Sequence, residues 1–271
     1  AGFSSIPKSA RVNGATSPLS KGRLFYVGVA VDQYPGIPEG NLRYAKRDMQ
    51  LLADTLKARA ASQYSDTEIT LLADASATPE AVIAALQQVT TSAKPEDTLI
   101  LSFAGHGVAG SGGQFFFMTG TATVEDPING ALDWNRAAAV LAESRAKVIV
   151  LLDACHSGFA SQETVVPNDA YAAALMHNHK AGMAVLAASK GREFSQEREG
   201  LEGGHGLFTY AVARALDSDR STADWQHVGV IDVDALYRYV KNYVSQMTRT
   251  GPTSQTPWLS RDELIGQVPV L

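Results

Sequence analysis

The chain of 271 residues contains a single cysteine. No disulfide can form within it, so stability must come from a buried core, and neither a reducing nor an oxidising compartment is excluded. It also lacks a basic stretch: 23 Lys and Arg stand against 28 Asp and Glu, for a net charge of -5. That balance argues against nucleic acid and against an anionic membrane surface as partners. No apolar run approaches the roughly 18 residues needed to span a bilayer, no signal-peptide core stands at the start, and no internal repeat is visible. With 45% hydrophobic and 19% charged residues, the composition suits one soluble domain with a substantial core. The chain starts at Ala1 rather than Met, as it would after loss of an upstream segment. Localisation therefore stays unassigned between cytoplasm and export after signal removal.

Residues 1–22, rich in Ser, Gly, Pro and Lys without periodicity, read as a flexible arm or the remnant of a pro-segment, followed by one domain over 23–271. Leu24 to Val31 is a continuous apolar run suited to a central strand, and helical spacing follows from Leu42 to Lys57. Ile69–Leu72 is a short strand, and Thr78-Pro79-Glu80 opens a helix reaching about Thr91, with proline at the first helical position. Strands are expected at Thr98–Gly107, Gln114–Met118, from Lys147 and at Ala184–Ser189, and helices at Trp134–Glu143, Gly206–Leu216 and Val233–Met247. This alternation predicts an α/β fold, a mostly parallel six-stranded sheet with helices on both faces. Two polar segments, Phe159–Gly182 and Lys190–His205, follow strands directly and read as loops that shape access to a site.

The lone cysteine sits where a nucleophile would be useful. Lys147-Val-Ile-Val-Leu-Leu-Asp-Ala-Cys-His-Ser-Gly158 is an apolar strand that ends abruptly in polar and small residues, with Cys155 at its carboxyl-end lip. Thr98-Leu-Ile-Leu-Ser-Phe-Ala-Gly-His-Gly107 has the same design and delivers His106. Two parallel strands would thus bring a thiol and an imidazole to the rim where open α/β sheets bind ligands. A thiol is mostly protonated at neutral pH and needs a base, which His106 can supply. The N–H groups of Gly107 and Cys155 are candidate donors to an oxyanion. The ordinary fate of a free cysteine is a buried structural thiol, but a thiol and a histidine in matching glycine-rich strand ends point to acyl transfer.

These residues carry a resemblance. Ser102-Phe-Ala-Gly-His-Gly107 and Asp153-Ala-Cys-His-Ser-Gly158 resemble the two signature motifs of caspase-like cysteine peptidases, in the metacaspase and bacterial orthocaspase branch, and His106 precedes Cys155 by about 50 residues, as in caspases. Leu24–Tyr34 with Asn41-Leu-Arg-Tyr-Ala-Lys-Arg-Asp48, Val185–Ser189 with Gly204-His-Gly-Leu-Phe-Thr-Tyr-Ala211, and Gln255-Thr-Pro257 extend the likeness over about residues 23–260. It implies a caspase-like three-layer sandwich and an endopeptidase with a Cys155–His106 dyad. Asp153, where caspases carry glutamine, implies the branch that cleaves after arginine or lysine, and Asp153 and Asp48 would line the pocket for that residue, the S1 pocket holding P1. Two partly desolvated carboxylates repel each other and are relieved by an incoming guanidinium.

Lesser candidates complete the reading. Ser189 ends its strand on the same rim and either touches substrate backbone or caps the strand. His156 and Ser157 are expected to form the turn after the nucleophile, and His205 to help open the helix that follows it. His177 and His179 have no cysteine partner for zinc, so no metal is expected there. Many metacaspases need calcium; Phe159-Ala-Ser-Gln-Glu163 lacks the aspartate that the family places there, leaving Glu125 and Asp126 as weak candidates, and no cofactor is expected. Self-cleavage would fall in the two access loops, at Lys180, Lys190, Arg192 or Arg198. The implied partner is a peptide or protein substrate, and a monomer is the default. Two rival readings are a silent caspase-like module that binds a partner through the same cleft, and a cysteine hydrolase acting on a non-peptide acyl group.

Overall fold

A computed structural model describes residues 21–110, 114–126, 128–156, 183–190, 193–250, 253–261 and 263–271, without the side chains of Ala109, Cys155, His156, Glu263 and Leu264. Its backbone is one large sheet with helices on both faces. Strands β1 (Leu24–Ala30), β2 (Thr67–Ala73), β3 (Thr98–Ala109), β6 (Lys147–His156) and β7 (Met183–Ala187) are parallel, and β10 (Trp258–Arg261) closes one edge antiparallel to β7. Their order is β10-β7-β6-β3-β1-β2. Two short strands, β4 (Phe115–Phe117) and β5 (Leu132–Asp133), hang antiparallel from the far end of β3 and bring the sheet to eight strands, and β8 (Glu197–Arg198) and β9 (His205–Gly206) form a separate antiparallel pair.

Alternation along the strands divides the core into two layers. Leu24, Tyr26, Ile100, Ile149, Leu151, Ala184 and Leu186 pack beneath α1 (Ala45–Arg59), α4 (Leu207–Leu216) and α6 (Val233–Thr248). Phe25, Val27, Leu99, Leu101, Val148, Val150 and Val185 face α2 (Pro79–Ser92) and α3 (Trp134–Ala142). The short helix α5 (Arg220–Ala223) joins α4 to α6. Strands apolar on both faces explain why they read as unbroken hydrophobic runs.

Side-chain caps fix the helix starts. Thr78 Oγ1 accepts from Ala81 N at 3.1 Å, Asp133 Oδ1 from Asn135 N at 2.8 Å and Asp232 Oδ1 from Ala235 N at 2.8 Å. Helix α1 starts at Ala45, three residues later than its periodicity suggests, because Asp32 Oδ1 accepts from Ala45 N at 2.7 Å while the Arg43 and Tyr44 N–H groups turn outward to Glu197. The sequence reading misses β10: four residues behind Pro257 carry no alternation, and pairing with β7 alone makes them a strand. Among the described residues no helix is long and apolar enough to cross a membrane.

Candidate active site

The carboxyl ends of β3 and β6 bring the two signature motifs together residue by residue. Ala104 pairs with Asp153, Gly105 with Ala154, His106 with Cys155 and Gly107 with His156. The backbones of His106 and Cys155 therefore face each other across one strand spacing, about 4.8 Å.

The loop after β1 holds the His106 ring. Gly40 O accepts from His106 Nε2 at 2.7 Å, Tyr34 OH accepts from His106 N at 2.9 Å, and the Tyr34 ring packs against the imidazole at 4.9 Å between centroids. Tyr34 is itself fixed, its N–H donating to Asn41 Oδ1 at 2.7 Å. A carbonyl can only accept, so Nε2 carries the ring proton and Nδ1 is the basic nitrogen of the neutral ring. Burial lowers the His106 pKa, opposed by the bond to Gly40; the ring is thereby kept neutral and able to take a proton. The glycines beside it admit close neighbours: a Cβ on Gly105 would lie 2.9 Å from Tyr34 Oη, and one on Gly107 would lie 2.5 Å from the Phe115 ring. These contacts, rather than an approaching substrate, are what require glycine at both positions within the described residues.

Asp153, two residues before Cys155, is 9% exposed. Its Oδ1 accepts from Ser195 Oγ at 2.5 Å, and its Oδ2 accepts from Thr209 Oγ1 at 2.7 Å and Thr209 N at 3.3 Å. Asp48, on the first turn of α1, is 2% exposed. Its Oδ1 meets His205 Nδ1 at 2.6 Å and its Oδ2 accepts from Gly206 N at 2.9 Å. The two carboxylates converge at Gly206, where an added Cβ would lie 2.8 Å from Asp48 Oδ2 and 3.0 Å from Asp153 Oδ2. Burial raises both pKa values, that of Asp48 to about 7 against the pull of the His205 bond and with the Asp153 charge adding to the rise. Among the described residues no lysine or arginine pairs with either carboxylate.

Other expected residues fall elsewhere or gain partners. Ser189 lies just beyond β7, buried, and its hydroxyl donates to Glu193 O at 3.1 Å, closing the turn that follows. His205 does not cap α4: the N-cap is Gly206, with no side-chain cap bond, and the imidazole is committed to Asp48. Arg198 is fixed to Gln196 Oε1 at 3.0 Å and to Met247 O at 2.8 Å. Glu125 and Asp126 are exposed, and no group of three His, Cys, Asp or Glu able to hold a metal occurs among the described residues. The side chains of Cys155 and His156, and Ser157, His177, His179, Lys180 and Arg192 entirely, lie outside the described residues. Sequence reasoning did not find Tyr34, Gly40, Ser195 or Thr209. Thr209 and Ser195 were within reach, since both stand in stretches already marked by the resemblance or by loop position.

A family model described as the caspase domain matches residues 29–269. A solved structure, protein GSU0716 from Geobacter sulfurreducens, superposes with a TM-score of 0.59 at 15% identity, covering 91% of this chain and 97% of that one; it shows the fold. No curated protein matches. With the model spanning nearly all of the described domain, the chain belongs to the caspase-domain family of cysteine peptidases, peptidase family C14.

Proposed function

We propose that this protein is an endopeptidase of the metacaspase or orthocaspase type that cleaves after arginine or lysine, with Cys155 as nucleophile and His106 as its base. One observation carries the specificity: two buried carboxylates meet at Gly206, Asp153 lying two positions along β6 from the cysteine, held among the described residues only by neutral donors and His205. Hydroxyls and N–H groups satisfy geometry without cancelling charge. A guanidinium or ammonium at P1 supplies the missing cation, and a carboxylate there would be repelled.

His106 Nδ1 takes the thiol proton, and the thiolate adds to the P1 carbonyl carbon. The oxyanion is received by the N–H groups of Gly107 and Cys155. His106 then gives its proton to the leaving amine as the C–N bond breaks, leaving a thioester; a water deprotonated by the same nitrogen hydrolyses it, and the thiol is restored. Gly40 fixes the tautomer and aim of the ring throughout. Self-cleavage, if it accompanies activation, belongs in 159–182 or 190–205. Arg198 is less available than the exposed Lys190 because both its contacts hold it in place.

The test is hydrolysis of matched fluorogenic peptides ending in Arg, Lys, citrulline or Asp. Cleavage after Arg and Lys is expected, with Cys155→Ala reducing kcat by about 10⁴-fold or more. Silence toward all four peptides, or equal turnover by the mutant, contradicts the proposal.

A further inference from the structure

The Asp48–His205 contact is unlike every other ion pair among the described residues. The ten short contacts include nine in which Lys or Arg is the cation, at least partly exposed; here a histidine is the partner and both side chains are buried, at 5% and 3%. The histidine is held from several sides. Its ring stacks on Tyr210 at 5.6 Å, and Tyr210 OH donates to Glu202 Oε1 at 2.9 Å. The turn before it runs through left-handed conformations at Glu202, Gly203 and Gly204, with φ of 47°, 92° and 109°. Arg47, one residue before Asp48, clamps that turn by donating to Gly203 O at 2.5 Å and Glu202 O at 2.9 Å. A Cβ on Gly204 would strike the Tyr44 ring at 2.2 Å, so only glycine lets the chain pass this close to α1. This amount of fixing is more than a helix start requires.

We propose that His205 is a positioning residue of the S1 pocket: by donating to Oδ1 it fixes Asp48 so that Oδ2 faces Gly206 and Asp153 and presents the second carboxylate that a cationic P1 residue meets. The inference rests on the reading of Asp48 and Asp153 as the P1-binding pair. The state of Asp48 sets the second charge of the pocket: protonated, it leaves Asp153 alone facing P1, and ionised, it adds a negative charge beside Asp153. Among the described residues the other ionisable groups around it are Asp153 from β6, which opposes that second charge, Tyr26 from β1, Tyr210 from α4, Glu197, which pairs with Gly206, and Glu202 with Arg47 at the turn. Burial raises Asp48 to about 7, which puts the change of charge in the neutral range. Linkage then runs in both directions: a cationic P1 residue expels the proton, and rising pH tightens a cationic P1 residue.

The experiment compares kcat and KM from pH 5.5 to 8.5 for a peptide with P1 arginine and its uncharged isostere with P1 citrulline, in the wild type, His205→Phe and His205→Asn. Phenylalanine keeps the stack on Tyr210 but cannot donate; asparagine offers an amide N–H to Oδ1 in place of the ring N–H. For the wild type, KM for arginine is expected to fall severalfold as pH rises through about 7, with no matching change for citrulline. His205→Phe is expected to raise KM for arginine by roughly tenfold at pH 8 with kcat much less affected, and His205→Asn to recover most of that loss while displacing the pH midpoint. If the wild type prefers arginine but both variants keep its KM and its midpoint, the role of His205 is overturned and the P1 assignment stands. If the wild type treats arginine and citrulline alike at every pH, the P1 assignment itself fails.

Discussion

The two rims of the sheet treat buried carboxylates in opposite ways. At the amino end, Asp97 is 1% exposed and fully provided for: Oδ1 accepts from Arg23 N at 2.7 Å, and Oδ2 accepts from Arg23 Nη2 at 3.0 Å and Lys94 N at 2.9 Å. Burial would raise its pKa, but those donors and the guanidinium charge hold it below the usual carboxylate range. At the carboxyl end, Asp153 and Asp48 are also buried, receive among the described residues only neutral donors and His205, and are pushed up. One rim holds β1 and β3 together with a complete ion pair. The other keeps two carboxyl groups beside a cysteine with no lysine or arginine among the described residues to pair them, a cost in stability that a structural site would have no reason to carry. On the proposed reading, this is where a substrate would bring the cation.

Substitutions at the two rims should therefore separate activity from stability. Asp153→Asn removes one partner of a buried charge pair in the complex, and truncations of that kind cost about 2–5 kcal/mol. The kcat/KM for a P1 arginine peptide should fall by roughly 100-fold or more, and the preference over citrulline should collapse. Gly206→Ala should act more mildly. Its backbone, with φ -63° and ψ 129°, suits alanine, so the fold should survive, but the methyl would press on both carboxylates. A packing cost of about 1–3 kcal/mol read in kcat/KM for arginine, with little change for citrulline, would confirm that Gly206 lies in the floor of the pocket.

Asp97→Asn should reverse that pattern. Losing the charged acceptor costs about 1–3 kcal/mol, seen as a melting temperature lower by several degrees at pH 7 with peptide cleavage at 25 °C unchanged. Because the native pKa of Asp97 is depressed, its contribution is present above about pH 4 and is lost as pH falls through the native value; wild-type and variant melting curves should converge in acid. Asp48→Asn has the opposite sign. A carboxyl raised to about 7 in the folded protein loses stability as pH climbs from about 4, its unfolded value, to 7. The amide can donate to a His205 nitrogen and accept from Gly206 N, so no donor is stranded. The variant should melt a few degrees higher than wild type at pH 8, about 1 kcal/mol, match it near pH 4, and lose selectivity for arginine.

What could be seen in the sequence follows from how local each signal is. His106 and Cys155 stand at the polar ends of two apolar strands, and strand periodicity with a sudden change of composition marks them without knowledge of any partner; the role of Asp153 entered through the resemblance. The register between them, His106 opposite Cys155, is what parallel pairing of two such strands produces. Asp48 came only through resemblance, since a carboxylate on the first turn of a helix has an adequate local explanation in the helix dipole. His205 was misread for the same reason: it precedes a helix and looks like part of its opening, whereas its partner is 157 residues away. Ser195 and Thr209 reach Asp153 from across the sheet, and β10 exists because β7 offers an edge. Each of these depends on which distant segments the fold brings together, and no local pattern reports it.

The central claim is that the uncompensated carboxylates, close to Cys155, select the residue that the cysteine attacks. It is tested most directly by the rate at which an arginyl chloromethyl ketone and its citrulline counterpart alkylate the protein, with the adduct located by mass spectrometry in the wild type and in Asp153→Asn. The account predicts a single adduct on Cys155, formed at least about 100-fold faster with arginine than with citrulline in the wild type, and nearly equal rates in Asp153→Asn. Equal rates in the wild type, or an adduct elsewhere than on Cys155, would contradict it.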